Sequence, residues 1–398
     1  MSESIFKGSF TQQEAIPEDA IEAAVAVLRS GRLHRYNLAE GETGSVAGLE
    51  REYAKWQGSR FCLAVTSGGQ ALQIALRAAG VKPGDEILTN AFTLAPVPGA
   101  IAAVGARAVL VETDENLRLD LGDFEQKAQT GRARVLLASH MRGHLCDMDR
   151  LMAIADANGI VVIEDCAHTM GAKWNGKRSG NFGLAGCFST QTYKHMNSGE
   201  GGLLTSGDPE FMARATILSG SYMLYERHGA GPASEAFQDL RYQTPNCSAR
   251  LDSLRASILL PQLQNLESSI KRWNEHYNTV AGILKDCSAI VLPERPAKEE
   301  MVGSSIQFRI PDYQSEDCKR FLELCAQRGV ELKWFGAEEP AGFTSGHHSW
   351  RYLDSQNLPQ TDCILSTLFD MRLPLTFSSE DCQLIAQIIA EIVKKGRV

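Results

Sequence analysis

Short apolar runs alternate with amphipathic segments along the first half of the chain. The apolar runs predict strands, and the β-branched run at residues 160–163 is typical of a strand buried on both faces, as in a parallel sheet. These predicted strands cover residues 61–65, 85–90, 108–112, 135–139, 160–163 and 186–189. A helix is predicted from Pro17 to a stop at Gly31, with acidic residues in its first turn. Further helices are predicted over residues 49–56 and from Ser67 onward.

The second half begins with a long predicted helix over residues 262–284. It is followed by predicted strands at residues 289–292, 304–310 and 330–334 and predicted helices at 316–328 and 380–395. Such a mixture fits a small α+β domain. A chain of 398 residues exceeds one hydrophobic core, so we expect two domains. We place a large domain with an N-terminal arm at residues 1–264 and a small C-terminal domain at residues 265–398.

Composition narrows the possible functions. The net charge of −8 argues against nucleic acid as a general partner and against a basic membrane-binding surface. No run approaches the length of a membrane span. The ten cysteines are scattered, without a CxxC pair or a Cys/His cluster at zinc spacing, so we predict no metal site. Without a signal-peptide pattern, they are expected to be reduced thiols of a cytoplasmic protein.

Two residues that suit one cofactor follow two of the predicted strands. Asp165 lies at the carboxyl end of its strand, where α/β sheets place their ligand crevice. Lys194 follows the strand at residues 186–189, in a loop rich in glycine, serine and asparagine. A lysine that forms a Schiff base and a carboxylate that pairs with a pyridinium nitrogen suit pyridoxal phosphate. Taken alone, a lysine in a polar loop is more often a solvated charge, and an aspartate after a strand more often forms a turn or caps a helix.

The segments around these two residues make the interpretation more specific. EDCAH at residues 164–168, FSTQTYK at 188–194 and GEGG at 199–202 resemble the motifs of the DegT/StrS-type sugar aminotransferases. That family lies within fold-type I of the pyridoxal phosphate enzymes. The resemblance implies an α/β fold with a large, mainly parallel-sheet domain and a smaller C-terminal α+β domain.

The resemblance also implies roles for individual residues. Lys194 and Asp165 would be catalytic, with Lys194 bonded to the cofactor and Asp165 paired with its ring nitrogen. The remaining cofactor contacts would come from the backbone of Gly69 and Gln70, from His168 near the phenolic oxygen, from Ser189 at the phosphate, from Phe92 and from Asn246. Phe92 would stack on the ring, with an ordinary core position as the alternative. Asn246 would reach the phosphate in the other subunit, with Ser248 as the alternative.

Several polar loops are candidate substrate contacts. They are Arg32 to Tyr36, Arg142 to His144, Tyr222 to His228, and Lys333 with His347 and His348. For each, the alternative is a solvated or purely structural role.

The predicted reaction is a transamination with glutamate as amino donor and a keto-sugar as acceptor, in a homodimer with shared sites. The family acts mainly on nucleotide-linked keto-sugars. The resemblance also suggests a second candidate, the eight-carbon sugar acid Kdo of lipopolysaccharide, which the cationic loops at Arg32–Arg35 and Arg142–His144 would suit. A sugar dehydratase is disfavoured because Lys194 is present where those relatives carry histidine. A silent sensor or scaffold would have lost Asp165 or Lys194.

Overall fold

A computed structural model describes residues 4–342 and 344–396 of the chain. Its helices are α1 (Glu18–Ser30), α2 (Ser45–Gln57), α3 (Gly68–Ala78), α4 (Pro96–Ala103), α5 (Leu121–Thr130), α6 (Met148–Ala157), α7 (Pro209–Ser219), α8 (Leu240–Gln243), α9 (Ser253–Lys285), α10 (Ser315–Gln327), α11 (Pro359–Leu365) and α12 (Ser379–Lys395). Its strands are β1 (Phe61–Val65), β2 (Glu86–Asn90), β3 (Arg107–Val111), β4 (Val135–Ser139), β5 (Val161–Asp165), β6 (Lys173–Trp174), β7 (Lys177–Arg178), β8 (Ala185–Ser189), β9 (Gly202–Ser206), β10 (Glu299–Glu300), β11 (Ser305–Arg309), β12 (Lys333–Trp334) and β13 (Leu368–Arg372).

A seven-stranded sheet in the order β1-β9-β8-β5-β4-β2-β3 forms the centre of the large domain. Only β9 runs antiparallel to its neighbours, β1 and β8. Two apolar clusters, one on each face, pack the surrounding helices against the sheet. This architecture confirms the predicted α/β class with a mainly parallel sheet.

The strand register brings the polar strand ends together. Ser139 at the end of β4 lies opposite Asp165 at the end of β5, and Asp165 lies opposite Cys187 of β8. Strand β8 then ends at Ser189. Because the carboxyl ends of parallel strands meet at one edge of a sheet, these residues open onto one crevice.

The small domain contains an antiparallel sheet in the order β11-β13-β12. The predicted strands at residues 304–310 and 330–334 correspond to β11 and to the shorter β12. The strand predicted at residues 289–292 is wrong, since only a single bridge between Val291 and Arg309 forms there. The central strand, β13, was not predicted.

Helix α9 connects the two domains without a break, and the boundary that we place at residue 265 lies inside it. It packs against α1, α2 and α12. The N-terminal arm, which we assigned to the large domain, packs on the small one: Phe6 and Phe10 meet Phe377 edge to face at 5.1 and 5.0 Å. Among the helices of the described residues, none has the length and apolar character needed to cross a membrane.

Candidate active site

Lys194 lies in a tight loop between β8 and β9. Thr190 N–H donates to the Gly201 carbonyl, and Lys194 N–H donates to the Gln191 carbonyl, both within 2.9 Å. Gln262 of α9 bonds the same loop at Asn197. Its Oε1 accepts from the Asn197 N–H and its Nε2 donates to the Asn197 carbonyl, both at 2.8 Å. The loop is therefore fixed both internally and by the interdomain helix, which holds the lysine in place.

The side chain of Lys194 meets His168. Lys194 Nζ lies 2.7 Å from His168 Nε2. The backbone N–H of Arg142 donates to His168 Nδ1 at 3.3 Å. Because Nδ1 accepts, a neutral imidazole carries its hydrogen on Nε2, facing the lysine. Burial, reinforced by the nearby Arg142 charge, lowers the pKa of Lys194 to about 7. The lysine can thus act as a neutral amine close to physiological pH.

The lowered pKa predicts how the apoprotein takes up pyridoxal phosphate, since only a neutral amine attacks an aldehyde. Below pH 7 the uptake rate is expected to rise about tenfold per pH unit and then to level off. Stopped-flow absorbance over a pH series measures this. A rate that keeps rising toward pH 10, as for a lysine of ordinary pKa 10.5, would contradict the assignment.

Asp165 is buried, 8% exposed, and its carboxylate accepts hydrogen bonds from two neighbours. Ser139 Oγ donates to its Oδ2 at 2.9 Å, and the Ala167 N–H donates to its Oδ1 at 3.2 Å. Thr93 Oγ1 in turn donates to Ser139 Oγ at 2.7 Å. Burial raises the pKa of Asp165, with the Ser139 hydrogen bond acting against it. A positively charged partner would restore the carboxylate to its ionised form.

Glu164, beside Asp165, has a structural role. Its carboxylate accepts from the N–H groups of Gly180, Phe182 and Gly183 at 2.7 to 3.0 Å and lies 3.1 Å from His140 Nε2. Burial opposes its ionisation, but these hydrogen bonds leave its pKa lowered. Because successive strand residues point to opposite faces, Glu164 anchors β5 while Asp165 faces the crevice.

The first turn of α3 closes one end of the crevice against Ser189. Gly68, Gly69, Ser189, His168 and Lys194 line the same cavity. A helix N-terminus offers backbone N–H groups and a positive dipole end to a phosphate. The Gln70 N–H already donates to Ser67 Oγ at 3.1 Å. Gly69 and Ser189 line the cavity at this helix end. Their phosphate contacts, like that of Gln70, stay predictions.

The two glycines provide a matched pair of variants. A Cβ on Gly68 would lie 2.8 Å from Ser189 Cβ, whereas on Gly69 its nearest neighbour is Ser67 Oγ at 3.8 Å. Gly68→Ala is expected to weaken pyridoxal phosphate binding by about 10- to 100-fold, the cost of overpacking. Gly69→Ala is expected to change binding less than about twofold. Absorbance titration of the apoproteins measures both, and equal losses would contradict this geometry.

Phe92 lies outside the crevice. It is 2% exposed and packs edge to face on Phe335 of the small domain, with ring centroids 5.0 Å apart. Thr93 and Leu94 line the cavity instead. Phe92 therefore has the surroundings of an ordinary core residue. Its stacking on the cofactor ring stays a prediction.

Asn246 lies exposed before α9. Its Oδ1 accepts from the N–H and the hydroxyl of Ser248 at 2.9 and 3.3 Å. Ser248 has a positive φ of 51°. The two candidates for the contact with the other subunit therefore form one turn, and that contact stays a prediction.

Several of the candidate loop residues bond to other side chains of the protein. Arg35 is buried in a two-pronged ion pair with Glu50, with both contacts at 2.8 Å, beside His228. His144 bonds Gln307 at 2.8 Å. His347 and His348 both bond Asp362 Oδ1, at 2.8 and 2.9 Å. Arg142 alone of these loop residues lines a cavity with Lys194.

Sequence reasoning missed Ser139, Arg372 and Tyr193. Ser139 ends a correctly predicted strand, so its place beside Asp165 could have been inferred from the parallel sheet. Arg372 and Tyr193 line a cavity with Lys194. Arg372 could not have been found, because β13 was not predicted and its contact with the lysine loop joins distant parts of the chain.

The residues present fit pyridoxal phosphate. Asp165 is buried and favours a cationic partner, Lys194 has a lowered pKa, and the N-terminus of α3 lies at the same cavity. A pyridinium nitrogen, an aldehyde and a phosphate match these three features in turn.

Comparison with known proteins identifies close relatives. The model of the DegT/DnrJ/EryC1/StrS aminotransferase family matches residues 14–390. A pleiotropic regulatory protein of Geobacillus stearothermophilus is 32% identical over 318 residues, covering 78% of this chain and 79% of that protein. The UDP-2-acetamido-2-deoxy-3-oxo-D-glucuronate aminotransferase of Pseudomonas aeruginosa is 35% identical over 263 residues, 65% of this chain and 67% of that enzyme. The crystal structure of 3-amino-5-hydroxybenzoic acid synthase superposes with a TM-score of 0.82 at 26% identity, covering 99% of this chain and 100% of that one.

Proposed function

The chain belongs to the DegT/DnrJ/EryC1/StrS aminotransferase family, and from this premise we propose that it moves an amino group from glutamate to a keto-sugar. Relatives in this family include sugar aminotransferases that depend on pyridoxal phosphate, and the fold is that of fold-type I. The identity of the donor and of the acceptor is the proposal.

One observation carries the proposal: Lys194 Nζ lies 2.7 Å from His168 Nε2, in a site that lowers its pKa to about 7. An amine with this pKa can accept a proton from a substrate carbon and give it up again at neutral pH. A relative that had lost catalysis would not need such a lysine. This favours an enzyme over a sensor or scaffold.

The remaining residues have complementary roles. Pyridoxal phosphate, when bound, supplies a ring that withdraws electrons from the substrate carbon next to nitrogen. Asp165 would keep the ring nitrogen protonated, since its carboxylate is fixed by Ser139 and Ala167. Gly69 and Ser189 would hold the phosphate. His168 would orient Lys194, because its hydrogen-bearing Nε2 faces the amine.

Two classes of acceptor remain. One is a nucleotide-linked keto-sugar, the class named for the Pseudomonas aeruginosa relative. The other is Kdo oxidised at C8, whose amination would give 8-amino-3,8-dideoxy-manno-octulosonate for lipopolysaccharide. The homodimer with shared sites, in which Asn246 would reach the partner's cofactor, and the cytoplasmic location belong to the same proposal. The alternative reaction is a dehydration, which is disfavoured because Lys194 is present.

Transfer of labelled nitrogen tests this proposal. Holoenzyme is supplied with ¹⁵N-glutamate and, separately, with C8-oxidised Kdo and with UDP-linked 3-keto-sugars, and the products are examined by mass spectrometry. We expect ¹⁵N in the amino sugar formed from one acceptor, together with 2-oxoglutarate. Loss of water from the sugar without incorporation of ¹⁵N would replace the proposal with the dehydratase. No reaction of glutamate at all would refute the donor.

A further inference from the structure

A cluster of cationic side chains faces Lys194 from the small domain. Lys333 of β12 lies directly opposite Asp370 of β13, and Arg372 follows two residues later on the same face of that strand. Arg142 of the large domain meets this face, with its Nη2 2.7 Å from Asp370 Oδ2. Three cations thus surround one carboxylate at the junction of the domains.

Two of these cations reach the crevice. Arg142 and Arg372 line one cavity together with Tyr193, Lys194 and Ser305. Among the described residues that line it, none is acidic. Arg372 lies over the ring of Tyr193, with its guanidinium carbon 3.8 Å from the ring centroid. The cavity therefore presents positive charge beside the reactive lysine.

Arg142 is built into position. It is 6% exposed, and its backbone has a positive φ of 54°, a conformation that costs a non-glycine residue energy. Its Nε has no hydrogen-bond partner among the described residues. A buried guanidinium nitrogen without an acceptor is costly, so this side chain is suited to a ligand that brings one.

Two cationic neighbours of Arg142 have lowered pKa values, because they are buried and lie close to other positive charges. Burial lowers the pKa of Lys333 to about 8, with Asp370 opposing this effect and Arg142 and Arg372 adding to it. Burial, again with Arg142, lowers the pKa of Arg372. An anion bound among these groups would relieve the repulsion.

The cluster is separate from the predicted phosphate site. Gly68, Gly69 and Ser189 line a different cavity, which shares only His168 and Lys194 with this one. The cofactor phosphate would therefore be held at the start of α3, on the other side of the reactive lysine.

We propose that Arg142 and Arg372, backed by Lys333, bind the carboxylate of the acceptor, which is therefore a keto-sugar acid. This deepens the proposed function and rests on it. Guanidinium groups match carboxylates with paired hydrogen bonds, and in a buried site they discriminate strongly against an uncharged group. A neutral keto-sugar would bring no negative charge to this cavity, whose described lining residues include no acidic side chain.

Glutamate also carries carboxylates and reacts in the same crevice, so the experiment must separate donor from acceptor. Binding of sugar acids to the holoenzyme is measured by calorimetry against uncharged partners: Kdo against its methyl ester, and UDP-glucuronate against UDP-glucose. The same samples are tested for the spectral change caused by glutamate alone. The variants are Arg372→Gln and, as an exposed control on α10, Arg320→Gln.

In the wild type, one acid is expected to bind about 10- to 100-fold more tightly than its uncharged partner. Arg372→Gln should reduce this preference to about twofold or less, and Arg320→Gln should preserve it. The proposal is overturned if no acid is preferred, or if the preference survives in Arg372→Gln. It is also overturned if Arg372→Gln weakens only the response to glutamate, because the cluster would then serve the donor alone. Failure of the proposed transamination would instead appear as the absence of any response to glutamate in the wild type.

Discussion

Replacement of Lys194 with alanine is expected to lower turnover by about 10⁴-fold, the upper range for loss of a general acid–base group. The variant loses both the amine that bonds the cofactor and the base that moves the substrate proton. His168, 2.7 Å away in the wild type, cannot replace it, because burial holds the pKa of that imidazole well below its usual range. Steady-state release of 2-oxoglutarate from glutamate measures the effect.

The matched control is Lys271→Ala, which removes an exposed lysine from α9. It is expected to retain wild-type turnover. Because the alanine leaves space where the amine was, added methylamine should restore part of the lost rate in Lys194→Ala and none in the control. Turnover of Lys194→Ala within about tenfold of the wild type would show that another group is the base.

Asp165→Asn is expected to lower turnover by about 10²- to 10³-fold, as for loss of a buried electrostatic partner. The amide has the same size and can still accept a hydrogen bond from Ser139, but it cannot carry the negative charge that keeps a ring nitrogen protonated. Cofactor affinity should fall less than turnover, because the predicted phosphate contacts at Gly69 and Ser189 would be unchanged. The rate constants for the two half-reactions, measured by stopped-flow absorbance, should both fall.

Asp156→Asn, an exposed change on α6, serves as the control and should have no effect on either half-reaction. If Asp165→Asn loses the cofactor altogether but turns over normally once saturated with it, Asp165 contributes to binding only.

Local patterns predicted much of the large domain. Strand β4 matches its predicted bounds, and the N-terminal helix stops at Gly31, which adopts a positive φ of 68°. Asp165 and Lys194 were predicted because Asp165 ends a strand and Lys194 lies in the loop after another, each within a distinctive motif. Parallel strands bring their carboxyl ends to one edge of the sheet, and the adjacency of β5 and β8 places both residues at one crevice.

Features that depend on contacts between distant segments were not predicted. Phe92 meets Phe335 across the domain junction, which no local pattern indicates. Arg35, a candidate substrate contact, is buried because Glu50 of the following helix, α2, neutralises its charge. Strand β13 was missed, although its alternation of Phe369, Asp370, Met371 and Arg372 places both charged residues on one face. The cationic cluster therefore emerged only from the structure.

We propose that Lys194 holds pyridoxal phosphate in an enzyme that accepts nitrogen from glutamate. The most direct test is the visible absorption spectrum of the purified protein and of Lys194→Ala, before and after glutamate is added. We predict a cofactor band in the wild type that bleaches with glutamate as pyridoxamine phosphate forms, and no bleaching in Lys194→Ala on the same timescale. A wild-type protein that stays colourless with added pyridoxal phosphate, or whose band ignores glutamate, would contradict the account.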